Sequence, residues 1–200
     1  MNLLMIYNYD SFTYNLVHYI ESNPYQAGIK VVTPDQLSDD LIEEFNIIGI
    51  IISPGPSHPK DRPEVLDFIG KYYKKLPVLG ICLGHQMLWH LAGGEVSRGE
   101  RPVHGHAFDV FHNGRGIYKD LPSPLAGCRY HSLTCFGEAD AFNIIGRTED
   151  GINMAIEHKN YPVFGVQYHP EAILSEAGRA QLNNFIRIAV EASHESSYKV

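Results

Sequence analysis

The stretch Pro77-Val78-Leu79-Gly80-Ile81-Cys82-Leu83-Gly84-His85-Gln86 sets the tightest limit on what this chain can fold into. Residues 78–81 form a short apolar run of the buried-strand type. Leu83, Met87, Leu88 and Leu91 follow without a linker, at the spacing of an amphipathic helix that Gly93-Gly94 ends. The junction reads Gly80-Ile81-Cys82-Leu83-Gly84, a G-x-C-x-G form of the nucleophile elbow. So tight a strand-to-helix turn strains the central residue, and the flanking glycines remove Cβ atoms that would clash. Cys82 is thereby pushed out over the carboxyl end of a sheet. There the helix dipole favours negative charge on its sulfur. The N–H of Leu83, one of the helix's unpaired first donors, can face a developing oxyanion. The same residues also describe a structural thiol in a glycine-rich turn, and the rest of the chain must decide between the two.

The first half alternates strands and helices. Residues 3–7 predict a strand, then a helix with Phe12, Leu16, Val17 and Ile20 on its apolar face and Asp10 or Ser11 as its cap. Residues 29–32 and 47–52 predict two more strands, the latter apolar almost throughout, as suits a strand covered on both faces. Residues 37–45 form a short helical or irregular piece, and a helix over 63–75 precedes the elbow. This order implies a mainly parallel, doubly wound central sheet with flanking helices, an α/β fold whose ligands sit at the carboxyl ends of its strands. After Gly94, short alternating runs at 107–110, 128–131, 142–145 and 154–157 predict a small antiparallel extension. Residues 163–168 return to a buried strand. A helix over 177–192 closes the domain, taken as 1–192, and 193–200 reads as a loose polar tail.

With 200 residues, 44% apolar and 20% charged, the chain suits one globular domain. A net charge of −7 without any Lys or Arg cluster argues against a nucleic-acid partner. No apolar run is long enough for a membrane span, and residues 1–4 do not resemble a signal peptide. Three cysteines without framework spacing suggest a reducing compartment, so a cytoplasmic location is expected.

Two further loops belong at the sheet edge where Cys82 lies. Ser53-Pro54-Gly55-Pro56 follows the strand at 47–52, and Pro54-Gly55 fits the centre of a type II turn. The Gly55 N–H, unobstructed by a side chain, is suited to be a second oxyanion donor beside Leu83. His169-Pro170-Glu171 ends the last strand, where residues i and i+2 share a face. A histidine there can deprotonate a thiol, and a carboxylate in register can hold its tautomer. Three loops thus converge on one edge with a nucleophile, a base, its orienter and two oxyanion donors.

Four motifs in order, Ser53-Pro54-Gly55-Pro56, Gly80-Ile81-Cys82-Leu83-Gly84-His85-Gln86, Arg129-Tyr130-His131-Ser132-Leu133 and Gly165-Val166-Gln167-Tyr168-His169-Pro170-Glu171, resemble the class I, triad-type glutamine amidotransferases. The opening Tyr7-Asn8-Tyr9-Asp10-Ser11-Phe12-Thr13-Tyr14-Asn15-Leu16 is similar to the small glutaminase subunits of anthranilate and aminodeoxychorismate synthases. The resemblance implies glutamine as substrate, a γ-glutamyl thioester on Cys82, His169 as base and then acid, and Glu171 as its orienter. It implies substrate contacts from Gln86, Ser132 and Leu133, and ammonia passed to a chorismate-binding synthase subunit. No cofactor and no metal is implied. His104, His106, His112 and His131 fit no standard zinc spacing, and Cys128 and Cys135 read as core thiols.

The chain departs from the family pattern at His106, where a lysine is usual, and at Ala172, where a serine usually follows His-Pro-Glu. Neither position belongs to the triad. A free-standing cysteine γ-glutamyl hydrolase would use the same elbow, but it leaves the 7–16 stretch, with its exposed-looking Tyr9, Phe12 and Tyr14, without a role. A non-catalytic binding subunit does not need the intact Cys82, His169 and Glu171.

Overall fold

The computed structural model describes residues 1–99 and 105–197. In the first half, β1 (Asn2–Ile6), α1 (Thr13–Glu21), β2 (Gly28–Val32), α2 (Asp40–Glu44), β3 (Ile47–Ile52), α3 (Pro63–Tyr72), β4 (Val78–Ile81) and α4 (Leu83–Leu91) follow in turn. The second half contributes β5 (Glu95–Arg98), β6 (His106–His112), β7 (Leu125–Arg129), β8 (Leu133–Phe136), β9 (Phe142–Arg147), β10 (Asn153–His158), β11 (Val163–Val166) and α5 (Gly178–Ser197). One nine-stranded sheet runs β2-β1-β3-β4-β11-β10-β9-β6-β7, and β5 pairs with β8 in a separate ribbon. Neighbours from β2 to β11 are parallel, and those from β11 outward are antiparallel. The doubly wound α/β sheet expected from the sequence is present. Its antiparallel extension comprises the four strands β10, β9, β6 and β7, and β5 and β8 add the small separate ribbon.

Side-chain alternation explains the layers. Leu3 and Met5 of β1 enter one core cluster, while Leu4 and Ile6 enter the other. Leu16 and Ile20 of α1 and Leu182, Phe185, Ile186 and Ala189 of α5 fill the first. Val65, Phe68 and Ile69 of α3 and Met87 and Leu88 of α4 fill the second. A strand with helices on both faces needs apolar side chains at every position, hence the unbroken Ile-Ile-Gly-Ile-Ile-Ile of β3. Each such side chain contributes about 1.5–3 kcal/mol by leaving water.

The structure differs from the sequence reading at several ends. β5 and β8 are not anticipated from the sequence: Glu95-Val96-Ser97-Arg98 carries a single apolar residue, and β8 is paired with it alone. Neither Asp10 nor Ser11 is the N-cap of α1; Asp10 instead accepts the Phe12 N–H at 2.8 Å in the turn before it. The helix at 63–75 ends at Tyr72. Residues 193–197, read as loose tail, continue α5, whereas 198–200 and His104 lie outside the described residues. No helix among the described residues is long and apolar enough to cross a membrane.

Candidate active site

The loops that leave β1, β3, β4 and β11 emerge side by side, because those strands are neighbours in the sheet. The chain winds outward in opposite directions from this region, which opens a crevice at the carboxyl edge. Cys82 stands there in the strained conformation expected of an elbow, with φ 51° and ψ −99°. Its N–H donates to Val166 O at 2.8 Å and its carbonyl accepts the Gln86 N–H at 3.1 Å. A Cβ on Gly80 would collide with the Gly84 backbone, and one on Gly84 would lie 2.5 Å from the Ile52 carbonyl oxygen. Both glycines are therefore required by close backbone approach.

His169 and Glu171 meet as expected, but not by the expected route. β11 stops at Val166, and His169 joins β7's edge through a single bridge in which its N–H donates to Cys128 O at 2.8 Å. The Ser175 hydroxyl locks this bridge, accepting the Cys128 N–H at 2.9 Å and donating to His169 O at 2.5 Å. Pro170 and Glu171 then lie in a turn closed by the Ala172 N–H on His169 O at 3.2 Å. That turn, rather than a shared strand face, brings Glu171 Oε1 to 2.7 Å from His169 Nδ1. Both side chains are buried. Tyr130 packs edge-on to the imidazole at 5.2 Å between ring centroids, and Phe12 at 6.0 Å. Phe12 is thus half-buried against the site, whereas Tyr9 and Tyr14 are exposed as expected.

Gly55 and Leu83 are adjacent: a Cβ on Gly55 would lie 2.9 Å from Leu83 Cδ2 and 2.7 Å from Asn8 O. The type II turn is not formed, since it needs a positive φ at Gly55 and Gly55 has none. Close approach of Asn8 and Leu83 is what demands glycine here. Asn8 also clamps the loop, its N–H donating to Ser53 Oγ at 2.9 Å and its Nδ2 to Ser53 O at 3.1 Å.

Gln86 is buried. Its Nε2 donates to Leu133 O and to Gln167 Oε1, both at 3.1 Å. The Leu133 carbonyl also lies 2.7 Å from His131 Nδ1, while His131 Nε2 accepts from Arg129 Nε at 3.0 Å. Because guanidinium can only donate, the His131 proton sits on Nδ1. Ser132 is exposed and its carbonyl is engaged by the Gly99 N–H at 3.0 Å. Gln167 was missed by sequence reasoning, although a lone amide in an apolar strand run was a usable signal. Among the described residues, no group of three His, Cys, Asp or Glu side chains is placed to hold a metal ion.

A strained cysteine, a buried histidine–carboxylate pair and a glycine loop now stand together, and residues 4–189 match the family model for class-I glutamine amidotransferases. The chain is a class I glutamine amidotransferase. It is 42% identical to anthranilate synthase component 2 of Cyanophora paradoxa, over 92% of this chain and 97% of that one. It is 41% identical to aminodeoxychorismate/anthranilate synthase component 2 of Bacillus subtilis, over 92% and 95%. Against the bifunctional protein TrpGD of Thermotoga maritima it is 37% identical over 93% of its own length, but spans only 32% of that longer protein. The fold matches a solved glutamine amidotransferase from Thermotoga maritima with a TM-score of 0.75 at 17% identity, covering 96% of this chain and 98% of that one.

Burial is the largest influence on the His169 ring of the amidotransferase and pulls its pKa down. The Cys82 sulfur and the Glu171 carboxylate together outweigh it and hold the ring above the ordinary 6.5. His169 Nε2 forms no hydrogen bond of good geometry with the protein, which leaves it free for the sulfur and for substrate. Two other rings go the opposite way. Burial, with a small addition from His131, pushes His85 down to about 3. Burial and the Arg129 charge push His131 to about 4.

These directions fix a pH dependence of stability. Below pH 6.5 the unfolded chain protonates all three rings, whereas the folded amidotransferase keeps His85 and His131 neutral and His169 charged. Of the three, His85 and His131 then differ between states, and each costs up to about 1.4 kcal/mol per pH unit as pH falls; burial also lowers His90, His112 and His158, which act in the same direction. The melting temperature is expected to drop by roughly 5–10 °C per unit between pH 6 and 5. Ordinary carboxylates remain charged in that window. A flat melting curve across it would contradict the neutral buried rings.

Proposed function

We propose that this amidotransferase hydrolyses glutamine through a γ-glutamyl thioester on Cys82 and delivers the ammonia to a chorismate-aminating synthase subunit. The observation that carries the reading is the strained Cys82 elbow beside the 2.7 Å His169–Glu171 pair. The sulfur, whose proton is held on His169 as imidazolium, attacks the amide carbon as thiolate. The Leu83 and Gly55 N–H groups take up the oxyanion. Imidazolium then protonates the leaving ammonia, and a water activated by the same ring opens the thioester to glutamate. Glu171 keeps the ring oriented throughout. Gln86, Ser132 and Leu133 are assigned to the amino-acid end of glutamine, which requires the Leu133 carbonyl to exchange protein donors for substrate.

Relatives named as component 2 of anthranilate or aminodeoxychorismate synthases support a partner and leave both aminations open. A cytoplasmic location belongs to the same reading. Tyr9 and Tyr14 near the first loop, and Ile173 and Leu174 just after Glu171, are exposed apolar side chains that suit docking. The 8–15 segment reaches the oxyanion loop through the Asn8–Ser53 clamp, so a docked partner has a direct route for biasing that loop. Tyr9 and Ser57, with φ of 64° and 83°, store strain near the two linked loops.

The test is glutamine hydrolysis by the purified chain, alone and with a chorismate-aminating synthase and chorismate. Activation of about tenfold or more is expected, which needs only about 1.4 kcal/mol of preference for the competent loop. Full turnover unchanged by the partner would overturn the coupled reading and favour a free-standing hydrolase.

A further inference from the structure

Gln167 reaches the reacting sulfur from the strand side of the elbow. It is fully buried, its N–H is tied to Met154 O at 2.9 Å, and its Nε2 lies 3.7 Å from Cys82 Sγ. We infer that Gln167 is a catalytic residue that donates an amide N–H to the Cys82 sulfur and stabilises it as thiolate, with Gln86 fixing which end of the amide faces the sulfur. The inference rests on Cys82 being the nucleophile.

The polarity follows from donor and acceptor arithmetic. Heavy atoms alone leave the two ends of a side-chain amide interchangeable. The Leu133 carbonyl can only accept, so the end of Gln86 against it is the NH2. The same nitrogen has a second hydrogen, directed at Gln167, which must therefore present its oxygen. The remaining end of Gln167, facing Cys82, is then NH2. A neutral thiol is a poor acceptor for that group, whereas a thiolate gains a charge-assisted bond. When the sulfur passes its proton to His169 Nε2, Gln167 compensates the negative charge from one side and imidazolium from the other. Gln86 is then a positioning residue in addition to any contact with substrate.

The rate of iodoacetamide alkylation of the full chain, followed against pH with the Cys82 adduct quantified by mass spectrometry, tests this. Gln167→Met removes the donor at similar volume, and Gln167→Glu keeps the acceptor for Gln86 while placing a carboxylate oxygen at the sulfur. The half-maximal pH of alkylation is expected to rise by about one unit in Gln167→Met, a tenfold slower reaction on the acid limb, and further in Gln167→Glu. If Gln167→Met does not fold, Gln167→Glu carries the test. A profile unchanged from the unsubstituted protein in a folded variant would overturn the role of Gln167 and leave Cys82 as nucleophile. Failure of the unsubstituted protein to alkylate at Cys82 would instead overturn the nucleophile reading itself.

Discussion

Cys82→Ser is expected to abolish glutamine-dependent product formation by the complex with its synthase, while ammonium salts still support it. Serine keeps the elbow's shape and hydrogen-bonding backbone, so the fold should survive. The hydroxyl, however, lacks the acidity and nucleophilicity of a thiol, and loss of a nucleophile typically costs a factor of 10³ or more. Ammonia added from solution bypasses the step at Cys82 and needs only the synthase chemistry. Parallel assays with glutamine and with an ammonium salt check this. Loss of both activities would mean that Cys82 does not act upstream of the amination.

His169→Ala and Glu171→Ala should differ in severity. Removing the imidazole takes away base and acid at once and should lower turnover by about 10³-fold or more. Removing Glu171 deprives the ring of its 2.7 Å partner and of one of the two groups that hold its charge, yet leaves Nε2 beside the sulfur. A smaller loss, by about tenfold or more, is expected. Steady-state glutaminase kinetics of the two variants decide it. Near-normal turnover in His169→Ala would place the base elsewhere. His131 is a poor substitute, because both its ring nitrogens are already engaged.

The parts of this architecture that were legible in the sequence are those in which backbone sterics and burial leave little choice. β3, β4 and α4 have the predicted bounds, since a strand covered on both faces admits apolar residues alone and the two glycines of the elbow tolerate no Cβ. The meeting of Cys82 with His169 and Glu171 followed from loop positions at one sheet edge. What escaped the sequence depends on tertiary contacts. The bridge that seats His169 is held through Ser175 and Cys128, residues distant from each other in sequence whose partnership has no local pattern. Gln86 sits on a helix whose first two turns are buried nearly all round, because the sheet and surrounding elements enclose it, so its amide is committed inward. Gly55 was taken for a turn residue of special φ, when the closeness of Asn8 is its real cause. β5 and β8 are recognisable only through each other.

The central claim is that Cys82 carries the covalent intermediate. Cys82, Cys128 and Cys135 are all free and buried, so burial alone does not distinguish them. An electrophilic glutamine analogue incubated with the complex, followed by peptide mass mapping, separates them directly. A single adduct on Cys82, suppressed by excess glutamine, is the predicted result. Adduct on Cys128 or Cys135 with Cys82 unmodified would contradict the account.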